Sequence, residues 1–289
     1  MAKQLLGKEV TAALNAKMQA RVEVLKEKGV EPTLAIVRCG ENPSDISYEK
    51  GAMKRAELIG VTTKNILLPE DVTKDALIDE IEKLNADASV HGVLLFRPLP
   101  KHLKADQSEI VNHLAPEKDV DCMTDLSNAG VYAGKDLGYP PCTPQACMEI
   151  LAHYDIDLKG KNVVVIGRSL VVGKPAAMML MGKNATVTVC HTKTVDVEAK
   201  AKAADIIVTS AGVLNSLTKD FVSPGQIVID VSINWDPTKK EGKGGIAGDA
   251  VFEEVEPIVD AITPVPGGVG SVTTSVLIEH VVSAAEKAI

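Results

Sequence analysis

The chain has 289 residues, enough for two domains with cores of their own. Hydrophobic residues make up 45% and charged residues 24%, while a net charge of −8, 3% aromatics and the lack of a basic run argue against a nucleic-acid or anionic-membrane partner. No apolar stretch nears the roughly 20 residues that span a bilayer, and the start, MAKQLLGKEV, has no signal-peptide core. The five cysteines (Cys39, Cys122, Cys142, Cys147, Cys190) show no C-x-x-C spacing, so a soluble cytoplasmic protein with free thiols and no metal is expected.

Residues 4–28 read as a helix, with Leu5, Val10, Ala13, Leu14, Met18 and Val22 near helical spacing and Gly29 as its stop. Thr33–Arg38 reads as a strand. Gly40, Asn42 and Pro43 make a turn, after which Ser44 or Asp45 caps a helix that runs to Ile59 and is closed by Gly60. Lys64–Leu68 is a short strand. A helix follows from Asp71 to near Asn85, and Val90–Phe96 is a third strand ahead of Pro98 and Pro100. A short helix, Gln107–Leu114, leads into an irregular loop, PEKDVDCMT. The alternation implies a largely parallel sheet covered by helices.

Gly138, Pro140, Pro141 and Pro144 mark a domain boundary, placed between residues 140 and 141. Beyond it, Gln145–Tyr154 is a helix. Val163–Ile166, all apolar and β-branched, reads as a strand buried on both faces of a parallel sheet. The helical run Ala176–Met181 follows, then strand Ala185–Cys190, helix Asp196–Ala203, and strands Asp205–Ser210 and Gln226–Val231. A glycine-rich segment, Gly242–Gly248, precedes ITPVPGGVG, and the last helix covers Ser271–Lys287. This is a β-α-β-α-β-β nucleotide-binding pattern, in which ligands sit at the carboxyl ends of the strands.

Gly167 ends the first strand of that pattern, and Gly173 and Pro175 open the next helix. Backbone N–H groups and the positive helix end then point at one spot, which suits a phosphate. The spacing is Gly167-Arg168-Ser169 and then Gly173, not G-x-G-x-x-G, so taken alone the loop is equally a plain turn. NAD sites carry an acid about 20 residues past the glycine turn for the ribose 2′-OH. Here the second strand ends Cys190-His191-Thr192-Lys193-Thr194, with no acid before Asp196. Arg168 with a hydroxyl suits a 2′-phosphate; the other reading of Arg168 is a solvated loop residue. His191 is read as a packing or polar residue at a strand end rather than as a base.

GRSLVVGKP, ATVTVCHTKT, ADIIVTSAG, VIDVSIN, ITPVPGGVG and PEKDVD together resemble the methylenetetrahydrofolate dehydrogenase/cyclohydrolase family. The resemblance runs nearly end to end. It implies a two-domain α/β enzyme: a folate-binding domain over residues 1–140, and a Rossmann-like NADP-binding domain over 141–270. It also implies that the last helix, 271–289, returns to the first domain, that the folate cleft lies between the domains, and that the enzyme is a homodimer. NADP is the implied cofactor. Its contacts fall on Gly167, Arg168, Ser169, Val172, Thr192, Ala211, Gly212 and Ile233. The tetrahydrofolate substrate falls to Tyr48, Phe96, Pro98, Leu99, Asp121, Pro266, Gly267 and Gly268, with Tyr48 stacking on the ring system and Asp121 on the pterin's amino edge. Tyr48 and Asp121 are the implied catalytic residues.

Oxidising methylene-tetrahydrofolate to methenyl-tetrahydrofolate is a hydride transfer, which mainly needs two rings held face to face. Hydrolysing the product to formyl-tetrahydrofolate needs water activated and protons moved. For that step the family's pattern has a Tyr-x-x-x-Lys pair, a glutamine at a strand end, and an aspartate. Here Ala52 stands one turn beyond Tyr48 in place of the lysine, and Phe96 stands in place of the glutamine. Lys50 and Lys54 point elsewhere on a regular helix. Arg97 offers a cation, but a guanidinium is a poor proton shuttle. The expectation is an NADP-dependent dehydrogenase whose cyclohydrolase activity is lost or weak, with a separate cyclohydrolase acting on its product. The alternatives are the full bifunctional enzyme and a silent folate-binding paralogue, and the intact cofactor loop speaks against the latter. Cys122 follows Asp121 where the family usually has glycine.

Overall fold

The computed structural model describes residues 1–239 and 243–289. Gly242, the expected start of the glycine-rich segment, lies outside them. In chain order the elements are β1 (Lys3–Gln4), α1 (Gly7–Glu27), β2 (Thr33–Cys39), α2 (Pro43–Ile59), β3 (Thr62–Leu68), α3 (Lys74–Ala86), β4 (Gly92–Leu95), α4 (Gln107–Val111) and α5 (Asp125–Ala133). They continue with α6 (Cys142–His153), β5 (Asn162–Ile166), α7 (Gly173–Gly182), β6 (Thr186–Cys190), α8 (Val197–Lys202), β7 (Ile206–Thr209) and β8 (Ile227–Asp230). The last are β9 (Asn234–Asp236), β10 (Gly245–Ala247), α9 (Phe252–Val255), β11 (Ala261–Ile262) and α10 (Thr273–Lys287).

Two compact units divide the chain: Ala13–Cys142 with Thr274–Ile289, and Met1–Ala12 with Thr143–Thr273. The first twelve residues, expected in the N-terminal domain, belong instead to the second unit, because Lys3 and Gln4 pair in parallel with Ala261 and Ile262.

The first unit holds a three-stranded parallel sheet in the order β3-β2-β4. Its central strand is an unbroken apolar run with Leu34, Ala35, Ile36 and Val37 fully buried, as a strand covered on both faces requires. The edge strand β3 is largely exposed. Leu77, Ile81 and Leu84 of α3 form one face of the core with Val93, Leu95 and Leu103. Helix α2 starts two or three residues earlier than expected. Asn42 is its cap, accepting from the Ser44 N–H at 2.9 Å, and Pro43 supplies the first helical φ. Gly60 closes it at φ 90°. The last helix, α10, packs on α1 within this unit: Arg21 donates to Glu286 at 2.6 Å and to Ser283 at 2.7 Å, and Ser275 to Asn15 at 3.1 Å.

Helix α5 has no counterpart in the sequence reading. Its buried positions are Ser127 and Gly130, so it shows no apolar stripe. Its ends are nonetheless well made, with the Thr124 hydroxyl accepting from Ser127 N–H and Gly134 left-handed at the close.

The second unit is built on six parallel strands in the order β1-β11-β8-β7-β5-β6. Four were expected; β1 and β11 are two-residue strands at one edge, too short to show a pattern. A small antiparallel hairpin, β9–β10, follows β8. Because β5 lies between β6 and β7, the order in which successive strands are added to the sheet reverses at β5. In open α/β sheets that is where the crevice for a ligand forms.

Candidate active site

The loop from Gly167 to Val172 leaves the end of β5 and delivers the chain into α7. Gly167 has φ 122°, and a Cβ at Gly173 would overlap the Gly167 carbonyl, so the turn closes only on glycine at both positions. Ser169 braces it: its hydroxyl accepts from Val172 N–H at 3.1 Å, and its carbonyl from Lys174 N–H at 3.0 Å. Arg168 is exposed at the mouth of this turn. Thr192 and Lys193 are exposed at the end of β6. His191 folds that end over, accepting from Lys193 N–H at Nδ1 (3.1 Å) while its own N–H donates to Thr194 (2.9 Å). The first carboxylate beyond β6 is Asp196, left-handed at φ 54° and at the start of α8. The ends of β5 and β6 thus carry a guanidinium and hydroxyls with no acid among them, a donor set that fits a phosphate better than a free hydroxyl.

Ala211 and Gly212 are exposed at the end of β7, and Ile233, 64% exposed, follows β8. A cavity of about 280 Å³ in this unit is lined by Asp230, Ser232, Ile233, Pro266, Gly267 and Gly268, among others. One expected cofactor residue and three expected substrate residues thus share one hollow. The Gly267 carbonyl accepts from Gly7 N–H at 2.8 Å, and the Gly268 carbonyl from the Ser271 hydroxyl at 2.7 Å.

Two buried carboxylates beside this hollow were not singled out from the sequence. Asp230 accepts from the N–H groups of Ala250 (2.8 Å), Asp249 (3.1 Å) and Ser232 (3.2 Å). Burial nevertheless pushes its carboxyl up from the ordinary 3.8 to about 6, those N–H groups opposing the rise. Asp249 is fully buried. VIDVSIN was read as a strand end; nothing in its spacing announces a partner near residue 249.

The remaining expected residues stand on the first unit. Tyr48, on α2, is 37% exposed and meets the Phe96 ring edge-on, with centroids 5.9 Å apart at 85°. Ala52, one turn along, is fully buried, and α2 runs unbroken past it with Lys50 and Lys54 exposed. No distortion brings either lysine inward. Glu49, beside Tyr48, is buried and committed elsewhere: it pairs with Arg38 at 2.8 Å and accepts from Asn65 at 2.5 Å. Of the PEKDVD aspartates, Asp119 is fully buried and braces its own loop, accepting from Met123 N–H and from the Thr124 N–H and hydroxyl, each at 2.8 Å. Asp121 is the one that reaches solvent. It lies 3.8 Å from the Arg97 guanidinium and accepts from Cys142 N–H at 3.2 Å. Pro98 is exposed, but Leu99 packs in the core, so its side chain is not available to line a site as expected. Cys122 is buried at φ 55°, the left-handed region that favours glycine. Burial pushes its thiol up to about 12. Nothing in the structure explains a cysteine there.

A family model described as tetrahydrofolate dehydrogenase/cyclohydrolase, catalytic domain, matches residues 5–121; its NAD(P)-binding domain counterpart matches residues 141–289. The bifunctional protein FolD of Carboxydothermus hydrogenoformans is 48% identical over 287 residues, covering 99% of this chain and 98% of that protein. Among solved structures, the bifunctional FolD dehydrogenase/cyclohydrolase of Campylobacter jejuni is similar at 39% identity and TM-score 0.94 over 100% of both chains. The Trypanosoma brucei dehydrogenase-cyclohydrolase, solved with NADP cofactor and an inhibitor, is 32% identical with TM-score 0.91, covering 99% of this chain and 98% of that one.

Proposed function

This chain belongs to the tetrahydrofolate dehydrogenase/cyclohydrolase family, and we propose that it oxidises methylene-tetrahydrofolate to methenyl-tetrahydrofolate with NADP. The observation that carries this is the turn of Gly167 and Gly173 with Arg168 and Thr192 beside it and no acid at the end of β6. When bound, NADP supplies the hydride acceptor. The chain's own part is placement. Gly167 and Gly173 let the backbone approach a pyrophosphate, and Arg168 and Thr192 pair with a 2′-phosphate. Ile233 and the Pro266–Gly268 turn line the hollow of the second unit, and Gly212 holds the hydroxyl of Ser232, another of its lining residues. Tyr48 stacks on the folate ring, and Asp121 accepts from its amino edge. The solved relative with NADP supports the cofactor assignment.

The names of the relatives favour a second activity, hydrolysis of the methenyl product, and the bifunctional reading is the better supported by kinship. The dehydrogenase-only reading rests on a local observation: the position of the family lysine is a fully buried alanine, and a phenylalanine stands in place of the glutamine. If this chain hydrolyses methenyl-tetrahydrofolate, the proton traffic falls to Tyr48 and Asp121, since Glu49 is held by Arg38 and Asn65. One assay separates the readings. Purified protein receives methylene-tetrahydrofolate and NADP⁺, and NADPH and methenyl-tetrahydrofolate are followed together. Methenyl-tetrahydrofolate that vanishes faster than in buffer means both activities; one-for-one accumulation means a dehydrogenase that hands its product to a separate cyclohydrolase. No reduced cofactor with either NADP⁺ or NAD⁺ would remove the enzyme assignment altogether. We also propose that the chain is a cytoplasmic homodimer; light scattering on the purified protein tests the dimer.

A further inference from the structure

The loop after β8 lines the hollow in the second unit, and the loop after β7 is hydrogen-bonded to it through Ser232. Both hang on one buried side chain. Among the described residues, Asp249 accepts from five donors. At Oδ2 these are the Thr209 hydroxyl (2.8 Å), Ala211 N–H (2.7 Å) and the Ser232 hydroxyl (2.8 Å). At Oδ1 they are Val213 N–H (2.9 Å) and the Asn234 amide (3.1 Å). The Ser232 hydroxyl, while donating to Asp249, accepts from Gly212 N–H at 3.1 Å, which ties the two loops to each other as well. Asp249 is itself pinned from beneath, its N–H donating to Asp230 at 3.1 Å. A carboxylate is the side chain that accepts at both ends without donating, so no other residue of this size satisfies all five partners.

We propose that Asp249 is a positioning residue for NADP: it acts through Ala211–Val213 and Ser232–Asn234, holding both loops in the spacing that the dinucleotide requires. Loops fixed beforehand lose no freedom when the ligand arrives, and that saving appears as affinity. This rests on the NADP reading above. Asp249→Asn keeps the shape of the side chain but turns one oxygen into an NH₂ group facing N–H or O–H donors.

The test measures NADP⁺ binding by calorimetry on the full chain, with steady-state constants alongside. Asp249→Asn is expected to weaken NADP⁺ binding about ten-fold, while KM for methylene-tetrahydrofolate stays within about two-fold. Val208→Ala serves as control. It opens a cavity in β7, lowers Tm without touching either loop, and leaves NADP⁺ affinity unchanged. Unchanged affinity in folded Asp249→Asn overturns the inference, as does an equal loss in Val208→Ala. If Asp249→Asn does not fold, Ser232→Ala decides. It removes the bridge between Asp249 and Gly212, and a several-fold weaker affinity supports the inference where an unchanged one overturns it. Failure of the unaltered chain to bind NADP⁺ would instead remove the cofactor assignment, and this inference with it.

Discussion

The ligand regions proposed on the two units are built by different means. In the second unit the ligand-facing groups are mostly backbone, in loops held by glycines that accept no side chain and by a carboxylate with five hydrogen bonds. In the first unit the groups are side chains on a helix, on the loop after β4 and on the loop between α4 and α5. They are joined by one edge-on ring contact and a 3.8 Å ion pair. Backbone geometry leaves little room for substitution, because a change at one residue displaces the whole loop. Side-chain chemistry is replaceable one residue at a time, and Ala52 and Phe96 stand in such places. Dinucleotide binding is thus the constrained half and proton chemistry the adjustable one.

The largest expected effect tests the constrained half. Gly173→Ala forces its methyl into the Gly167 carbonyl, and displacing that turn should weaken NADP⁺ binding by at least about 100-fold, read by calorimetry. Binding within a few-fold of the unaltered chain would mean the turn gives way and the contrast is false. Next, Arg168→Leu should cost about 30-fold in NADP⁺ affinity and leave that for NAD⁺ nearly unchanged, as expected of a charge-assisted contact to a phosphate absent from NAD⁺. Equal losses for the two would return Arg168 to a solvated loop role.

On the adjustable half, Ala52→Lys combined with Phe96→Gln should raise methenyl-tetrahydrofolate hydrolysis about ten-fold, a fraction of what a well-placed acid/base can contribute. No gain in a folded protein would show that these two positions do not decide the second activity. The smallest effect is one of pH. Burial holds the Asp230 carboxyl near 6 against 3.8 ordinarily. The folded chain therefore keeps a proton that the unfolded chain releases. That contribution to stability is complete below pH 3.8 and is lost as pH rises through about 6. The Tm of the unaltered chain minus that of Asp230→Asn should fall by a few degrees over that interval; a flat difference would mean Asp230 does not titrate there.

Much of the architecture was legible because burial on both faces writes itself as an unbroken apolar run. Thr33–Val37 and Val163–Ile166 show it, and both are central strands. What escaped was what leaves no run. β1 and β11 are two residues each, α5 buries a serine and a glycine, and the cap of α2 is Asn42 rather than the serine or aspartate after it. Leu99 comes to the site list by the resemblance alone, and its side chain packs in the core.

The same division runs through the site. Gly167, Arg168 and Gly173 are neighbours along the chain, and the turn they form is local, so the amino-acid sequence alone determined a glycine-bearing strand–turn–helix. The burial of Ala52, the choice of Asp121 over Asp119 as the solvent-facing carboxylate, and the gathering of two loops on Asp249 were decided only by the tertiary structure. Their partners come from strands distant in the chain. Whether a carboxylate binds a ligand or braces a loop depends on which donors the fold brings within about 3 Å of it, and that distance is not encoded in local spacing.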